Sequence, residues 1–401
     1  MKFPSHSLFV VCVVIAPLIS GPASAAIDHV YIVAGQDPST SMVVQFHTAN
    51  AAESLVRYDT EPEAEGNPLD FSAKGTSHQI PGLEDGRRIH AVELKELQPA
   101  TTYYFSASNG KSGSFRTLPT DDAPIRAIFG GDIGVLPLAS MVLKAAAKEN
   151  PDIAVLGGDI AYANGDLKNI LAWDMWLSRW EGTMKRADGA MIPMIVAIGN
   201  HEVNKLESTD PLVRAPFFFH LFAQGGKTYF TRSLGPNVGL IALDTGHITP
   251  HEEQVDFLRQ SLEAVEEKPY IFTTYHVPFY PSHRSYDDSR SIAGREHWQP
   301  IFEEYNVSIG FEHHDHTFKR TKPIRGGEVS EDGIVYLGDG SMGVAVRDIK
   351  NGDAWYIEKA EEKAHVWVVD IHPEKVQCRA IDHFGQQFDE ISFAPRLVTA
   401  N

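Results

Sequence analysis

Five short polar clusters each close an apolar run in this sequence, and together they restrict the fold more than any other feature. They are Gly131-Asp132-Ile133-Gly134, Gly158-Asp159-Ile160-Ala161-Tyr162, Gly199-Asn200-His201-Glu202, His276 in Tyr275-His276-Val277-Pro278, and His313-His314-Asp315-His316. The runs before them (127–129, 153–156, 191–198, 270–275 and 307–311) read as buried strands. In an open α/β sheet, residues at the carboxyl ends of neighbouring strands face one crevice. All five clusters are therefore expected at a single site.

The donors in them suit metal ions. Asp132 and Asp159 each follow a glycine, which lets the backbone approach a ligand closely. Tyr162 lies three residues after Asp159, and a phenolate favours a hard, highly charged ion such as ferric iron. Asn200 adds a neutral oxygen, while His276, His314 and His316 add imidazoles suited to zinc, iron or manganese. If residues 313–316 are extended, alternate side chains share a face. His314 and His316 then point together, and His313 and Asp315 turn away. These donors exceed what one ion takes while leaving room for substrate. Two ions with a shared carboxylate use them all, and a pair about 3.5 Å apart is the usual arrangement for hydrolysing phosphate esters.

The flanking sequence divides in two. Residues 26–118 hold short strand-like segments rich in β-branched and aromatic residues, separated by turn formers. Leu97-Gln98-Pro99-Ala100-Thr101-Thr102-Tyr103 and the closing Phe115-Arg116-Thr117 resemble a fibronectin type III-like β-sandwich. Residues 119–124 read as a linker. From 125 to 396 strands alternate with helical patterns at 137–149, 167–184, 252–265 and 295–305, which argues for an α/β domain. Trp173, Trp176 and Trp180 recur at helical spacing and are expected to pack in a core or domain interface.

Residues 1–25 resemble an export signal. Lys2 precedes an apolar stretch from Leu8 to Ile19, and Ala23-Ser24-Ala25 fits a cleavage site. Cleavage would leave Cys378 as the only cysteine of the two in the sequence, so the mature chain would have no internal disulfide and no membrane anchor. Export without disulfides suits a bacterial periplasmic or secreted protein. The formal charge of −18 argues against a nucleic-acid partner. Oligomeric state is not readable here.

The order Gly-Asp-x-Gly, Gly-Asp-x-x-Tyr, Gly-Asn-His-Glu, a lone strand-end His and His-x-His resembles the purple acid phosphatases, within the calcineurin-like metallophosphoesterases. That resemblance implies a fold of two mixed sheets flanked by helices (α/β, or α+β), preceded by the β-sandwich. It implies a metal-dependent phosphoric ester hydrolase acting on small phosphate monoesters through a metal-bound hydroxide. An Fe(3+) ion would be held by Asp132, Tyr162 and His316, with Asp159 bridging to a divalent Zn, Mn or Fe held by Asn200, His276 and His314. Iron(III) and a divalent ion bring about +5, while two carboxylates, a phenolate and a hydroxide remove about 4, leaving about +1 to attract phosphate. His201 would contact phosphate or protonate the leaving group, with Glu202 orienting it. Many members carry a second histidine after the lone strand-end His, and His283 is the nearest candidate here. The sequence departs from the family at His313, where glycine is usual, and at Thr317-Phe318-Lys319-Arg320. Other readings are a phosphodiesterase or nucleotidase on the same metals, and a non-catalytic surface protein. Arg284, Arg290 and Arg320 are further phosphate candidates, and Asp244 and His247 are candidates for a loop beside the site. Gly338-Asp339-Gly340 reads as a chance repeat of the Gly-Asp pattern.

Overall fold

A strand buried on one face alternates, but the central strands of this chain are buried at every position except Arg126, so each must be covered on both sides. The computed structural model, which describes residues 28–65 and 67–396, shows how. The first segment holds β1 (Val30–Ala34), β2 (Met42–Thr48), β3 (Leu55–Asp59), β4 (Phe71–Lys74), β5 (Thr76–His78), β6 (Arg88–Leu94), β7 (Thr102–Ala107) and β8 (Ser112–Arg116). Next come β9 (Ile125–Gly130), α1 (Pro137–Lys148), β10 (Ile153–Leu156), α2 (Ile170–Thr183), β11 (Met194–Val196), α3 (Pro211–Arg214) and α4 (Pro216–Leu221). The second half runs through β12 (Phe230–Leu234), β13 (Val238–Ala242), α5 (Val255–Ala264), β14 (Tyr270–Thr274), α6 (Ser289–His297), α7 (Gln299–Glu304) and β15 (Ile309–Phe311). It closes with β16 (Phe318–Thr321), β17 (Ile324–Arg325), β18 (Glu328–Val329), β19 (Val335–Gly338), β20 (Ile357–Glu361), β21 (His365–Ile371), β22 (Val376–Asp382) and β23 (Gln387–Phe393).

Two mixed sheets lie face to face. One has the order β23-β22-β21-β9-β10-β11-β1-β2-β6-β5, the other β12-β13-β14-β15-β19-β16-β20. Residue parity sorts their side chains. Ala127, Phe129, Ile153 and Val155 point between the sheets, where they meet Ala242, Phe272, Ile309 and Phe311. The alternate residues Ile128, Ala154 and Leu156 pack outward with Val142 and Leu143 of α1 and Trp173, Trp176 and Trp180 of α2. The second sheet does the same beneath α5, α6 and α7, using Ile241, Ile271 and Tyr336. The three tryptophans are core residues, as their spacing suggested.

The N-terminal strands depart from a free-standing sandwich. β3, β4, β7 and β8 form their own sheet, but β1, β2, β6 and β5 extend the ten-stranded sheet through parallel pairing of β1 with β11. A buried ion pair fastens the same junction: Arg87 donates to both carboxylate oxygens of Asp174 on α2, at 2.6 and 2.9 Å. Such non-local pairing leaves no mark in a strand's own sequence. Leu118, expected at the end of the first domain, is buried between the two large sheets.

Helix boundaries differ where caps and prolines decide. The helix expected over 295–305 begins at Ser289, capped by the Asp288 carboxylate at the Arg290 amide, and breaks before Gln299-Pro300. Pro211 and Pro216 start α3 and α4, which were not expected. Cys378 is buried within β22. No helix among the described residues is long and apolar enough to cross a membrane. The expected signal at residues 1–25 lies outside the described residues.

Candidate metal centre

The parallel ladder β9, β10 and β11 ends in the Asp132, Asp159 and Asn200 loops, and β14 and β15 deliver His276 and the 313–316 turn from the facing sheet. Where the strands end, the backbone turns sharply. Asp132, Asp159, Tyr162, His314 and His316 all have positive φ, between 53° and 79°, which is uncommon for residues with a Cβ. Five of the seven expected ligands thus occupy a strained region, of the kind that clusters at functional sites.

Two groups of donors result. Tyr162 Oη lies 3.0 Å from Asp132 Oδ1 and 3.1 Å from His316 Nε2, and His316 Nε2 lies 3.0 Å from the same Asp132 oxygen. In the second group His276 Nε2 lies 3.1 Å from Asp159 Oδ2, 3.2 Å from Asn200 Oδ1 and 3.1 Å from His314 Nδ1. Ligating atoms of Asp132, Asp159, His276 and His314 all fall within 4.8 Å of one another. All seven expected ligands therefore fall in these two adjoining groups of donors.

Several details show that the donor set fits cations. His276 Nδ1 donates to the Gly157 carbonyl at 2.9 Å, so Nε2 is the nitrogen that faces the centre, free to bind a cation once it has lost its proton. Asp159 Oδ2 faces the same point, fully buried and without a hydrogen bond among the described residues. Nε2 and Oδ2 lie 3.1 Å apart and share a positive charge, either a proton on His276, whose pKa burial lowers but Asp159 and Asp132 bring up to about 9, or a metal ion in that proton's place. Burial would push the Asp159 carboxyl up, but His276 outweighs it and brings it down to about 2. Burial and the Asp132 charge push the Tyr162 phenol far above its usual range, so only a strong cation would make it a phenolate here.

The 313–316 turn corrects the reasoning about its histidines. The residues are not extended. His314 and His316 are both left-handed, and they point to different donor groups instead of chelating together. His313 is buried against glycines: a Cβ added at Gly157 would lie 1.8 Å from its ring. Asp315 turns away, as expected, and Oδ2 accepts from the amides of Ser282 at 2.8 Å and His283 at 2.7 Å.

The residues around the ligands are less as foreseen. Glu202 does not orient His201. It is buried and accepts from the amides of Asp159, Ile160 and Gly199 at 2.7 to 2.8 Å, which fixes the Asp159 loop. Burial, with the Asp159 charge, pushes its carboxyl up to about 7. Asn164 takes the orienting role: its side-chain oxygen pairs with His201 Nδ1, leaving Nε2 toward Asp159 Oδ2 at 3.8 Å. His283 is not among the converging groups; its Nδ1 donates to the Asp348 carbonyl at 2.7 Å. Arg320 pairs with Asp389 at 2.8 Å, and Arg290 is exposed. Asp244 caps the loop that carries His247, whose ring lies 5.7 Å from that of His276.

Gly338-Asp339-Gly340 is no chance repeat. β19 runs parallel to β15, so this segment too sits at a strand end of the same crevice. Gly340 has φ +63°, and a Cβ there would lie 1.9 Å from Asp132 Oδ2. The signal was the same Gly-Asp pattern, missed because its strand could not be placed. Gly340→Ala should displace the Asp132 carboxylate and weaken metal binding at least about tenfold while the protein stays folded. Competition against a colorimetric chelator measures this, and unchanged affinity would show that Asp132 tolerates the shift.

The fold and these two donor groups define a calcineurin-like α/β sandwich with a candidate two-metal centre. A family model for the purple acid phosphatase N-terminal domain matches residues 27–119, and one for the calcineurin-like phosphoesterases matches 126–318. The chain belongs to the purple acid phosphatase family, a family of metal-dependent phosphoesterases with a binuclear centre. It is 26% identical over 294 residues to probable purple acid phosphatase 20 of Arabidopsis thaliana, covering 68% of this chain and 65% of the relative. To purple acid phosphatase 15 of the same plant it is 25% identical, covering 76% and 62%. The chain thus spans less than two thirds of those relatives' lengths. The structure of purple acid phosphatase PPD1 from yellow lupin seeds shares the fold, with a TM-score of 0.77 at 17% identity over 91% of this chain and 74% of that one.

Proposed function

We propose that the chain is an exported phosphatase that hydrolyses small phosphate monoesters at a centre of one ferric and one divalent ion. The observation that carries this is the pair of donor groups meeting at Asp159, whose buried Oδ2 is left open. Asp132, Tyr162 and His316 would hold the ferric ion, and Asn200, His276 and His314 the divalent one, with Asp159 between them. When bound, the two cations would polarise phosphoryl oxygens and lower the pKa of a water at the site.

The chain's own residues bind, orient and move a proton. Glu202 holds the Asp159 loop rigid through three backbone amides. With Asn164 bonded to Nδ1, His201 is confined to an orientation that directs Nε2 inward, where it can donate to a phosphoryl or leaving-group oxygen. Burial lowers the His201 pKa, and Asp159 opposes that effect. The apolar stretch before Ala23-Ser24-Ala25 supports export, to the periplasm or medium of a bacterium.

Chelation should abolish hydrolysis of an aryl phosphate monoester, and ferric iron plus zinc should restore it. A visible absorption band should accompany the active form and vanish in Tyr162→Phe. Full activity after complete metal removal would overturn the metal mechanism. Active but colourless, iron-free protein would overturn the ferric assignment alone. An aryl diester cleaved faster than the monoester would overturn the substrate class.

A further inference from the structure

Two arginines stand beside the centre, and among the described residues the one carboxylate in a salt bridge with either is Asp315, 3.5 Å from Arg284 Nε. Arg284 lies on the loop after His276, and Arg347 on the segment after β19. Each donates to one and the same acceptor, the His314 carbonyl, at 3.4 Å. That is a long contact for a guanidinium, which carries five N–H donors. His314 is itself a proposed ligand, so both cationic groups adjoin the metal centre.

Their backbones are fixed on the same turn. The Arg347 amide donates to the His316 carbonyl at 3.0 Å. Asp315 Oδ2 holds the Ser282 and His283 amides, with Arg284 N at 3.3 Å. Asn351 laces the two segments, its side chain donating to the carbonyls of Pro281 at 3.0 Å and Arg284 at 2.6 Å. The carboxylates nearby neutralise the two arginines only in part. Asp315 Oδ1 is 3.5 Å from Arg284 Nε, outside hydrogen-bond geometry, and that Nε is buried without a partner among the described residues. Asp348 turns to His283, its carboxylate 3.3 Å from Nδ1. Among the described residues no carboxylate forms a salt bridge with Arg347. Burial and the charge of Arg284 depress the Arg347 guanidinium, while Asp132 and Asp315 act in the opposite direction. With one 3.4 Å contact from each guanidinium to a shared carbonyl and one 3.5 Å approach by Asp315, N–H donors remain for a further anion.

We propose that Arg284 and Arg347 form a second anion subsite beside the metals, and that the preferred substrates are phosphate esters carrying a second phosphate on the same molecule. This rests on the phosphatase reading above. The metals take the scissile phosphate and the arginines take its neighbour. Polyphosphate chains and sugar bisphosphates share that chemistry and differ in spacing.

The test is calorimetric binding of non-hydrolysable ligands to the metal-loaded protein. Methylphosphonate reports the metal centre alone. Methylenebisphosphonate and propylene-1,3-bisphosphonate add a second anion at short and longer spacing. At least one bisphosphonate should bind about tenfold or more tightly than methylphosphonate, the effect of one or two charge-assisted hydrogen bonds. Arg347→Ala and Arg284→Ala should each reduce that ratio to about threefold or less, and Arg347→Lys should keep part of it. If methylphosphonate binds and neither bisphosphonate gains over it, the subsite is wrong and the phosphatase reading stands. A ratio unchanged in both alanine variants also overturns the subsite. If methylphosphonate fails to bind at all, the phosphatase reading falls and takes this inference with it.

Discussion

Asp159→Asn should leave the protein folded, bind at most one metal in place of two, and lower monoester hydrolysis by roughly 10³-fold or more. The two carboxylate oxygens have separate tasks. Oδ1 accepts the His201 amide at 2.6 Å, and an Asn side-chain oxygen can keep that bond. Oδ2 is fully buried and faces His276 Nε2 at 3.1 Å. The substitution places an N–H group there, which cannot bridge two cations and removes one negative charge from the centre. Folding should survive because Glu202 holds the loop through backbone amides, which the substitution does not touch. Metal content by mass spectrometry, read beside hydrolysis rate and thermal midpoint, checks all three statements. Two bound metals with activity within about threefold of the parent would refute the bridging role.

The second large effect is on stability. Lys319→Met should destabilise the protein by about 3–5 kcal/mol, the usual result of removing one partner from a buried ion pair. Lys319 is wholly buried and pairs with Glu312, donates to the Tyr280 carbonyl at 2.7 Å, and lies 3.6 Å from Asp339. Both carboxylates are also fully buried. The network reaches the loop after His276: Glu312 accepts the Phe279 amide and the Tyr275 hydroxyl at 2.7 and 2.8 Å, and Asp339 accepts the Ser282 hydroxyl at 2.7 Å. Without Lys319, Glu312 and Asp339 remain fully buried without their cation, and burial already pushes the Asp339 carboxyl well up. Denaturant titration measures the change, and a loss below about 1 kcal/mol would show that the carboxylates take up protons at little cost.

The ligand set was the most legible part of this chain. A candidate metal donor is named by its residue type, and strand ends are marked by polar residues that close an apolar run, so Asp132, Asp159, Tyr162, Asn200, His276, His314 and His316 could be picked out one by one. The reasons were less secure than the residues. His314 and His316 were chosen for an extended backbone, whereas a left-handed turn sends them to the two donor groups. Supporting residues were harder to read because their partners are distant in sequence. Asn164 orients His201 across 37 positions, and Glu202 reaches the Asp159 amide across 43. His283 showed the opposite failure, with a suitable residue type in a suitable loop but its ring engaged by Asp348.

Two mixed sheets were implied only by the family resemblance, whereas the sequence by itself determined the α/β class, the helices α1, α2 and α5 to within a few residues, and the family's motifs. Those properties follow from local periodicity and from residue types at strand ends, which are written along the chain. Only the tertiary structure decided that β1 joins the ten-stranded sheet, that Gly340 gives Asp132 its room, and that Arg284 and Arg347 meet at the His314 carbonyl. Each of these depends on which segments become neighbours. Strand pairing and loop apposition bring together groups far apart in sequence, and the free energy that selects them belongs to the folded whole.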